Sequence, residues 1–139
     1  MRPIEFRAFS MEHNMYMVGF GVLPVEYTEK EFGYGNEIIL FTEFNGEIRC
    51  IPETVGQFTG LKDKNGKKIF EGDIVEIIEI DAFGNLDWNR LKGKVMFSEG
   101  AWLVTDNRSF AIPLWSEINE IEVIGNIHEN PELLEVATC

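Results

Sequence analysis

Residues 58–77 constrain the fold of this chain more than any other segment, because they combine a turn signal with two runs of strand-forming residues. The dipeptide Asn65-Gly66 is typical of hairpin turns, since a type I′ turn needs positive φ at both central residues and Asn and Gly adopt it readily. We therefore expect a sharp turn between residues 63 and 67. Gly72-Asp73 then interrupts the pattern before residues 74–80, whose β-branched side chains predict another strand. The segment indicates a small, mostly β domain and no particular chemistry.

The rest of the chain repeats this pattern of short strand-like runs separated by Gly, Asn, Asp or Pro. Further strands are predicted at residues 2–9, 15–20, 37–44, 47–51, 92–97, 101–105, 109–114 and 120–127. Pro113 predicts a strand end or a sheet edge, because proline cannot donate to a ladder, and Gly125 predicts a bulge or a close backbone approach. Asn130-Pro131-Glu132 follows the order of a helix N-terminus, so a short C-terminal helix is expected. Many short strands with one helix signal favour a barrel or a sandwich.

Two segments lack a strand pattern and are interpreted as loops. Residues 21–36 are punctuated by Pro24 and two glycines, and residues 81–90 form a polar stretch with two aromatic residues. Loops of this length are often functional, so both are candidate contact surfaces. Tyr34 and Trp88 are the candidate binding residues there, because an exposed aromatic side chain can anchor a protein partner. Packing of Trp88 back onto the edge of the sheet is the alternative interpretation.

The charge of the chain restricts its partners. With 12 basic and 24 acidic residues, the 139-residue chain has a formal net charge of −12. The one slightly basic region is residues 58–73, which contain Lys62, Lys64, Lys67 and Lys68. Nucleic-acid binding requires a basic face that neutralises phosphates, so these lysines are its only candidate site here. The acidic remainder fits a solvated surface, recognition of a basic partner, or imitation of nucleic acid.

The sequence contains no pattern that indicates catalysis or a metal. Cys50 and Cys139 lack the spacing of a zinc site, and we expect two reduced thiols, with a disulfide between them as the open alternative. Glu71 and Asp73 flank Gly72, but Gly-Asp commonly begins a barrel strand with the Asp side chain bonded to nearby backbone. We therefore predict no catalytic residue, no cofactor and no metal. An apolar run of about 18 residues and a charged leader are both lacking, so we expect no membrane contact and a cytoplasmic location.

Four parts of the chain resemble the YopX protein family of bacteriophages and prophages. The block at residues 57–75 carries the resemblance, and the opening at 2–9, the glycine-marked strand pair at 92–106 and the tail at 121–134 extend it. The resemblance spans nearly the whole chain and is weakest between residues 11 and 54. It implies a phage-encoded, mainly β protein with an SH3-like barrel. It implies no established activity and therefore no catalytic residues.

Together these observations predict a mainly β chain that forms a single YopX-like domain. Its parts would be an N-terminal β lobe (1–55), an SH3-like β-barrel (56–127) and a C-terminal helix and tail (128–139). We expect a phage accessory protein that acts as a non-catalytic protein-interaction module and binds a host or phage protein in the bacterial cytoplasm. A nucleic-acid-binding barrel and an uncharacterised enzyme are the alternatives. A homo-oligomer is also plausible, because edge strands of small β proteins often pair with another copy.

Overall fold

A computed structural model describes residues 4–26, 36–80, 86–108, 110–114 and 119–134. These residues are almost entirely in strands and turns, so the prediction of a mainly β protein is confirmed. The strands are β1 (Phe6–Ser10), β2 (Met15–Gly19), β3 (Gly21–Glu26), β4 (Asn36–Thr42), β5 (Gly46–Cys50), β6 (Gly56–Lys62), β7 (Lys68–Phe70), β8 (Asp73–Ile80), β9 (Leu86–Ser98), β10 (Ala101–Thr105), β11 (Ala111–Pro113) and β12 (Asn119–Asn126). Two 3-10 turns cover Pro52–Thr54 and Pro131–Leu134. The chain divides into two compact units, residues 1–58 and 59–139.

The first unit contains two sets of antiparallel strands and a small apolar core. Strands β1 and β2 form a hairpin, and the first residues of β6 lie beside β1, with Arg7 opposite Gly56. Strands β3, β4 and β5 form a three-stranded sheet in that order. A buried cluster of this unit comprises Ala8, Leu40, Ile48 and Cys50, with Phe6, Met17, Val22 and Val55 packed against it. Ile38 and Phe58 are also buried.

The sequence predicted a loop at residues 21–36. This prediction is wrong for the first six of these residues, which form β3. Pro24 lies opposite Ile38, and β3 is the outer strand of its sheet. An outer strand tolerates proline because the missing N–H group would point away from the neighbouring strand. Proline was therefore compatible with a strand at this position. Residues 27–35, which include Tyr34, lie outside the described part of the chain.

The second unit contains a five-stranded antiparallel sheet in the order β11-β10-β9-β8-β12. Strands β8 to β11 follow one another as a meander, and β12 returns to pair with β8. The buried core of this sheet comprises Ile69, Val75, Ile77, Val95, Val104 and Leu114. Gly93 permits close packing at the centre of β9, because a Cβ atom there would lie 2.8 Å from Cγ1 of Val104. The runs of β-branched residues in the sequence thus supply the core of this unit.

The sequence predicted a loop at residues 81–90. This prediction is wrong for residues 86–90, which form the first part of β9. Leu86 pairs with Ile80, and Arg90 pairs with Ile78, with a register shift between these pairs. Polar residues such as Asp87 and Asn89 have low strand propensity, but pairing with the apolar strand β8 overrides it. Trp88 therefore lies in a strand rather than at a loop tip, and its side chain lies outside the described part.

The turn at residues 63–67 is at the predicted place but has a different geometry from the type I′ turn that Asn-Gly favours. The Asp63 N–H donates to Lys67 O at 2.8 Å, and the Gly66 N–H donates to Asp63 O at 3.0 Å. Gly66 has φ of +82°, whereas Asn65 has no positive φ. This is a three-residue loop that ends in a left-handed glycine. The two-residue hairpin with positive φ at both positions occurs instead at Glu99-Gly100, with φ of 50° and 81°.

The predictions for the two end strands of the five-stranded sheet are confirmed. Pro113 ends the edge strand β11, and the register of β12 shifts between Val123 and Gly125. A Cβ atom at residue 125 would lie 2.6 Å from Oδ1 of Asn130, so the close backbone approach is also present. After β12 a short C-terminal helix was predicted, and the described chain forms only a 3-10 turn there, at Pro131–Leu134. Residues 135–139 lie outside the description.

Candidate binding cleft in the first unit

A cleft of about 580 Å³ lies within the first unit. Its lining comes from the β1–β2 turn, the start of β4, the end of β5 and the first 3-10 turn. The lining residues are Met11, Glu12, Glu37, Arg49, Cys50, Ile51, Pro52 and Glu53. Ligand sites in proteins typically have volumes of about 300–1,000 Å³, so this cleft is large enough to receive a ligand or several side chains of a partner.

The β1–β2 turn presents Met11 and Glu12 to the cleft, and the side chain of Ser10 holds this turn. The Ser10 hydroxyl is fully buried and lies 3.0 Å from Nδ1 of His13, and it accepts a hydrogen bond from the His13 N–H at 3.2 Å. Asn14 has φ of 52°, a left-handed conformation that Asn tolerates better than most residues. His13 is exposed, and its bonds to Ser10 help to hold the turn that carries Met11 and Glu12.

A second part of the lining is the 3-10 turn at Pro52–Thr54, which Thr54 fastens to β1. The buried Thr54 hydroxyl accepts a hydrogen bond from the Phe9 N–H at 2.8 Å and donates one to Ile51 O at 2.6 Å. The Ile51 N–H in turn donates to Phe9 O at 3.0 Å. Two of these bonds tie the end of β1 to the segment that follows β5, and the bond from Thr54 to Ile51 O lies within that segment. The two walls of the cleft are thus positioned by backbone hydrogen bonds to buried hydroxyl groups.

The charges around the cleft are predominantly negative. Glu12 and Glu53 are exposed at its rim, while Glu37 lies 3.7 Å from Nε of Arg49 through its Oε2 atom. Arg49 lies opposite Ile39, so Glu37 is its diagonal neighbour across the β4–β5 pair. The Arg49 side chain is 71% exposed, and an ion pair this exposed contributes little to stability. Three carboxylates face one guanidinium, which makes the cleft acidic.

Cys50 contributes a buried thiol to the cleft. It is only 5% exposed, and burial raises the pKa of its thiol. The thiolate is the nucleophilic form of cysteine, so a raised pKa keeps this group unreactive at neutral pH. Among the described residues, no group of three His, Cys, Asp or Glu side chains is arranged to hold a metal ion. The cleft therefore offers apolar contacts and carboxylates for binding.

The predicted nucleic-acid contacts Lys62, Lys64 and Lys67 are exposed residues in and beside the 63–67 turn of the second unit. The turn is organised by the buried carboxylate of Asp63. Its Oδ1 accepts the N–H groups of Asn65 and Lys67, both at 2.9 Å. Its Oδ2 accepts the Val123 N–H of β12, also at 2.9 Å. The lysine turn is therefore fastened to the outer edge of β12.

The electrostatics of this lysine turn are mixed. Burial by itself raises the pKa of the Asp63 carboxyl, but the hydrogen bonds from Val123, Lys67 and Asn65 and the nearby Lys67 charge outweigh it, so the pKa is lowered overall. Nζ of Lys64 lies 3.6 Å from Oε2 of Glu122. The carboxylate of Asp63 thus lies within the turn, and the carboxylate of Glu122 pairs with Lys64. The turn is less basic than its lysine count suggested.

The structural role proposed for Gly72-Asp73 is confirmed. Asp73 is 1% exposed, and its Oδ2 accepts the Phe70 N–H at 2.7 Å. Gly72 has φ of 89°, its N–H donates to Val95 O, and its carbonyl accepts the Ile127 N–H. The side chain of Asp73, the first residue of β8, thus bonds the backbone at the end of β7.

Sequence reasoning did not identify the cleft in the first unit. Its lining residues come from four separated parts of the chain, so no local spacing links them. The available signal was weak: Pro52 and Glu53 follow directly on a predicted strand, and Glu12 lies in a predicted turn. The pairing of β4 with β5, and the hydrogen bonds that Phe9 at the end of β1 makes with Ile51 and Thr54, bring these positions together.

Fold and cleft define a small, mainly β protein with an acidic cleft in its first unit. The sequence profile of the YopX protein family matches residues 5–135. The chain therefore belongs to the YopX family, as the resemblance predicted. Among solved structures, protein yopX from Bacillus subtilis is 22% identical, with a TM-score of 0.51, over 96% of this chain and 98% of that one. Protein EF1440 from Enterococcus faecalis is 27% identical, with a TM-score of 0.49, over 95% and 98%.

These comparisons identify the family and the fold, but they do not identify an activity. At 22% identity, the likeness to the Bacillus subtilis protein concerns the fold alone. No curated protein matches the chain. In the part of the chain that the structure describes, no helix has the length and apolar character needed to cross a membrane.

Proposed function

We propose that this YopX-family chain is a non-catalytic protein-interaction module that binds a host or phage protein. The cleft of the first unit carries this proposal. It combines exposed carboxylates with the apolar side chains of Met11, Ile51 and Pro52, and its walls are held by buried hydrogen bonds. A preformed concave surface of this kind binds with a smaller loss of conformational entropy than a flexible one.

Exposed apolar side chains of the first unit give further support. Val18 on β2 and Leu23 on β3 are each about half exposed, and Phe20 between these strands is 61% exposed. Phe44 in the β4–β5 turn is 88% exposed. Large apolar side chains in contact with water favour association with another protein. A second copy of this chain is the alternative occupant of this surface.

We further propose a barrel fold for the second unit and a phage or prophage origin for the chain. We propose that the second unit is an SH3-like barrel, because a four-stranded meander with a fifth strand returning to the first can curl and close in this way. The proposal includes a phage or prophage origin and action in the bacterial cytoplasm as a single YopX-like domain. Family membership supports the origin.

Nucleic-acid binding through Lys62, Lys64 and Lys67 is the weaker candidate. These lysines are exposed in and beside one turn, which favours it. The net charge of −12 and the ion pair between Lys64 and Glu122 oppose it, since affinity for phosphates requires unbalanced positive charge. We therefore prefer a protein partner.

The test is a tagged pull-down from bacterial lysate, with and without nuclease treatment, analysed by mass spectrometry and paired with light scattering of the purified chain. A distinct protein retained after nuclease treatment supports the proposal. Retention of nucleic acid, with all protein lost after nuclease, favours the lysine turn instead. A stable homo-oligomer that retains no other protein would also overturn the proposal.

A further inference from the structure

We infer that the cleft of the first unit binds a segment of the partner in which a lysine or arginine lies next to an apolar side chain. This inference rests on the proposed function and specifies the chemistry of its partner.

The charge of the cleft selects a cationic ligand. Arg49 is already balanced by Glu37 at 3.7 Å, which leaves Glu12 and Glu53 as further carboxylates. Within the described part of the chain, neither of these two forms an ion pair. Glu12 comes from the β1–β2 turn and Glu53 from the 3-10 turn, so the two walls of the cleft carry one carboxylate each. A cation between them would gain from both, whereas a phosphate would be repelled.

The apolar lining selects a cation with an aliphatic stem beside another apolar group. Met11 is 70% exposed, and Ile51 and Pro52 add apolar surface to the same cleft that Glu12 and Glu53 line. Lysine and arginine bury their aliphatic stems on apolar surface while their charged ends remain hydrated. A flexible methionine adapts its shape to such a ligand. A compact hydrated cation would make none of these contacts.

The rigidity of the walls makes the cleft suitable for a protein segment. Thr54 and Ser10 hold the two walls through hydrogen bonds of 2.6–3.2 Å. Neither Glu12 nor Glu53 takes part in those bonds, so substitutions at the rim leave the scaffold intact. The binding groups and the groups that hold the fold are therefore separable by mutation.

The first experiment measures fluorescence anisotropy of labelled peptides at low ionic strength. One peptide consists of Gly-Ser-Arg-Leu repeats, a second replaces leucine by serine, and a third replaces arginine by glutamate. We expect the first to bind, the second to bind more weakly, and the third not to bind. Equal binding of the first two would overturn the requirement for an apolar neighbour, and displacement of the first by equimolar spermidine would indicate a site for small cations instead.

Matched variants then assign the binding to the cleft. E12Q/E53Q should weaken binding of the arginine–leucine peptide about fivefold or more, which corresponds to the loss of two partly solvated ion pairs. E43Q/E47Q removes the same charge from exposed positions of the first unit outside the cleft, and its affinity should stay within about twofold of wild type. M11K, at an exposed turn position, should also weaken binding. Equal effects of the two double variants would show general electrostatic attraction and overturn the inference.

Methyl NMR of labelled methionine provides a direct readout of location. Met11 lines the cleft, whereas Met15 is 54% exposed on β2 and does not. Addition of the arginine–leucine peptide should shift the Met11 methyl resonance and leave that of Met15 in place. The opposite pattern would place the peptide elsewhere and overturn the inference.

The pull-down with the same variants separates this inference from the proposed function. Capture of a protein by wild type and E43Q/E47Q, with loss by E12Q/E53Q, supports both. Equal capture by all three leaves the interaction module standing and overturns the role of the cleft. Capture of no protein by any of them overturns the proposed function itself.

Discussion

The cleft of the first unit and the lysine turn of the second unit use acidic side chains in opposite ways. In the lysine turn, both oxygens of Asp63 accept backbone N–H groups. In the cleft, the hydroxyls of Ser10 and Thr54 hold the backbone, and the carboxylates of Glu12 and Glu53 remain exposed. Charged groups that are buried in backbone hydrogen bonds stabilise a fold, whereas exposed ones remain available to a ligand. The number of charged residues in a segment therefore does not reveal its binding capacity.

The largest expected loss of stability follows from removing the carboxylate that organises the lysine turn. Asp63→Ala removes the acceptor of three backbone N–H groups and should lower the free energy of unfolding by about 3 kcal/mol. Asp63→Asn retains one carbonyl acceptor and should have a smaller effect. Urea denaturation of both variants measures the difference. Equal destabilisation by the two would show that the side-chain volume, rather than its acceptors, holds the turn.

The corresponding change in the first unit should be somewhat smaller. Thr54→Val keeps the shape of the side chain and leaves the Phe9 N–H and Ile51 O without the hydroxyl. We expect a loss of about 2 kcal/mol in the free energy of unfolding, together with weaker binding of the arginine–leucine peptide. Thr54→Ser, which retains the hydroxyl, is the matched control. An unchanged peptide affinity in Thr54→Val would mean that the wall does not depend on this clamp.

Lowering the pH should reduce the contribution of the Asp63 carboxylate to the free energy of unfolding. Because the pKa of its carboxyl is lowered in the folded protein, the unfolded chain takes up this proton first as the pH falls. The stabilisation that the ionised Asp63 carboxylate gives to the folded protein is complete above the pKa of this group in the unfolded chain, about 3.9. It is lost as the pH falls through the lower pKa of this group in the folded protein. The stability gap between wild type and Asp63→Asn should therefore narrow below about pH 4. A gap that stays constant from neutral pH to pH 3 in urea denaturation would contradict this assignment.

The smallest effects are expected from the exposed charges of both regions. Lys64→Ala and E12Q/E53Q should each change the free energy of unfolding by less than about 0.5 kcal/mol, because exposed ion pairs and rim carboxylates are screened by water. Thermal denaturation provides the comparison with wild type. A large loss in E12Q/E53Q would reveal a structural role for these carboxylates and weaken their assignment to binding.

Much of the fold was predictable because its signals are local. The strand runs, the hairpin near Asn65-Gly66, the edge proline Pro113 and the bulge at Gly125 follow from backbone restrictions of single residues. The strand β3 and the first part of β9 were missed because their strand character depends on neighbours. Pro24 is acceptable on an outer strand, and residues 86–90 are held by pairing with β8. Neither fact can be read from the segment itself.

The candidate site was less predictable than the fold. The lysines were recognised because residues 58–73 are the one slightly basic region of the sequence. That Glu122 of β12 pairs with Lys64, and that Asp63 binds the Val123 N–H, depends on residues about 60 positions away. The predictions for Tyr34 and for the side chain of Trp88 remain predictions, since both lie outside the described part of the chain.

The sequence alone determined the mainly β architecture, the positions of the tight turns and the family, because these depend on local propensity and on residue identity along the chain. The tertiary structure decided which charges are used by the fold and which remain exposed around a cleft. The physical reason is that burial and hydrogen bonding of a carboxylate depend on strands that are distant in the sequence. Asp63 and Glu12 are both acidic residues in turns, and only their three-dimensional neighbours distinguish them.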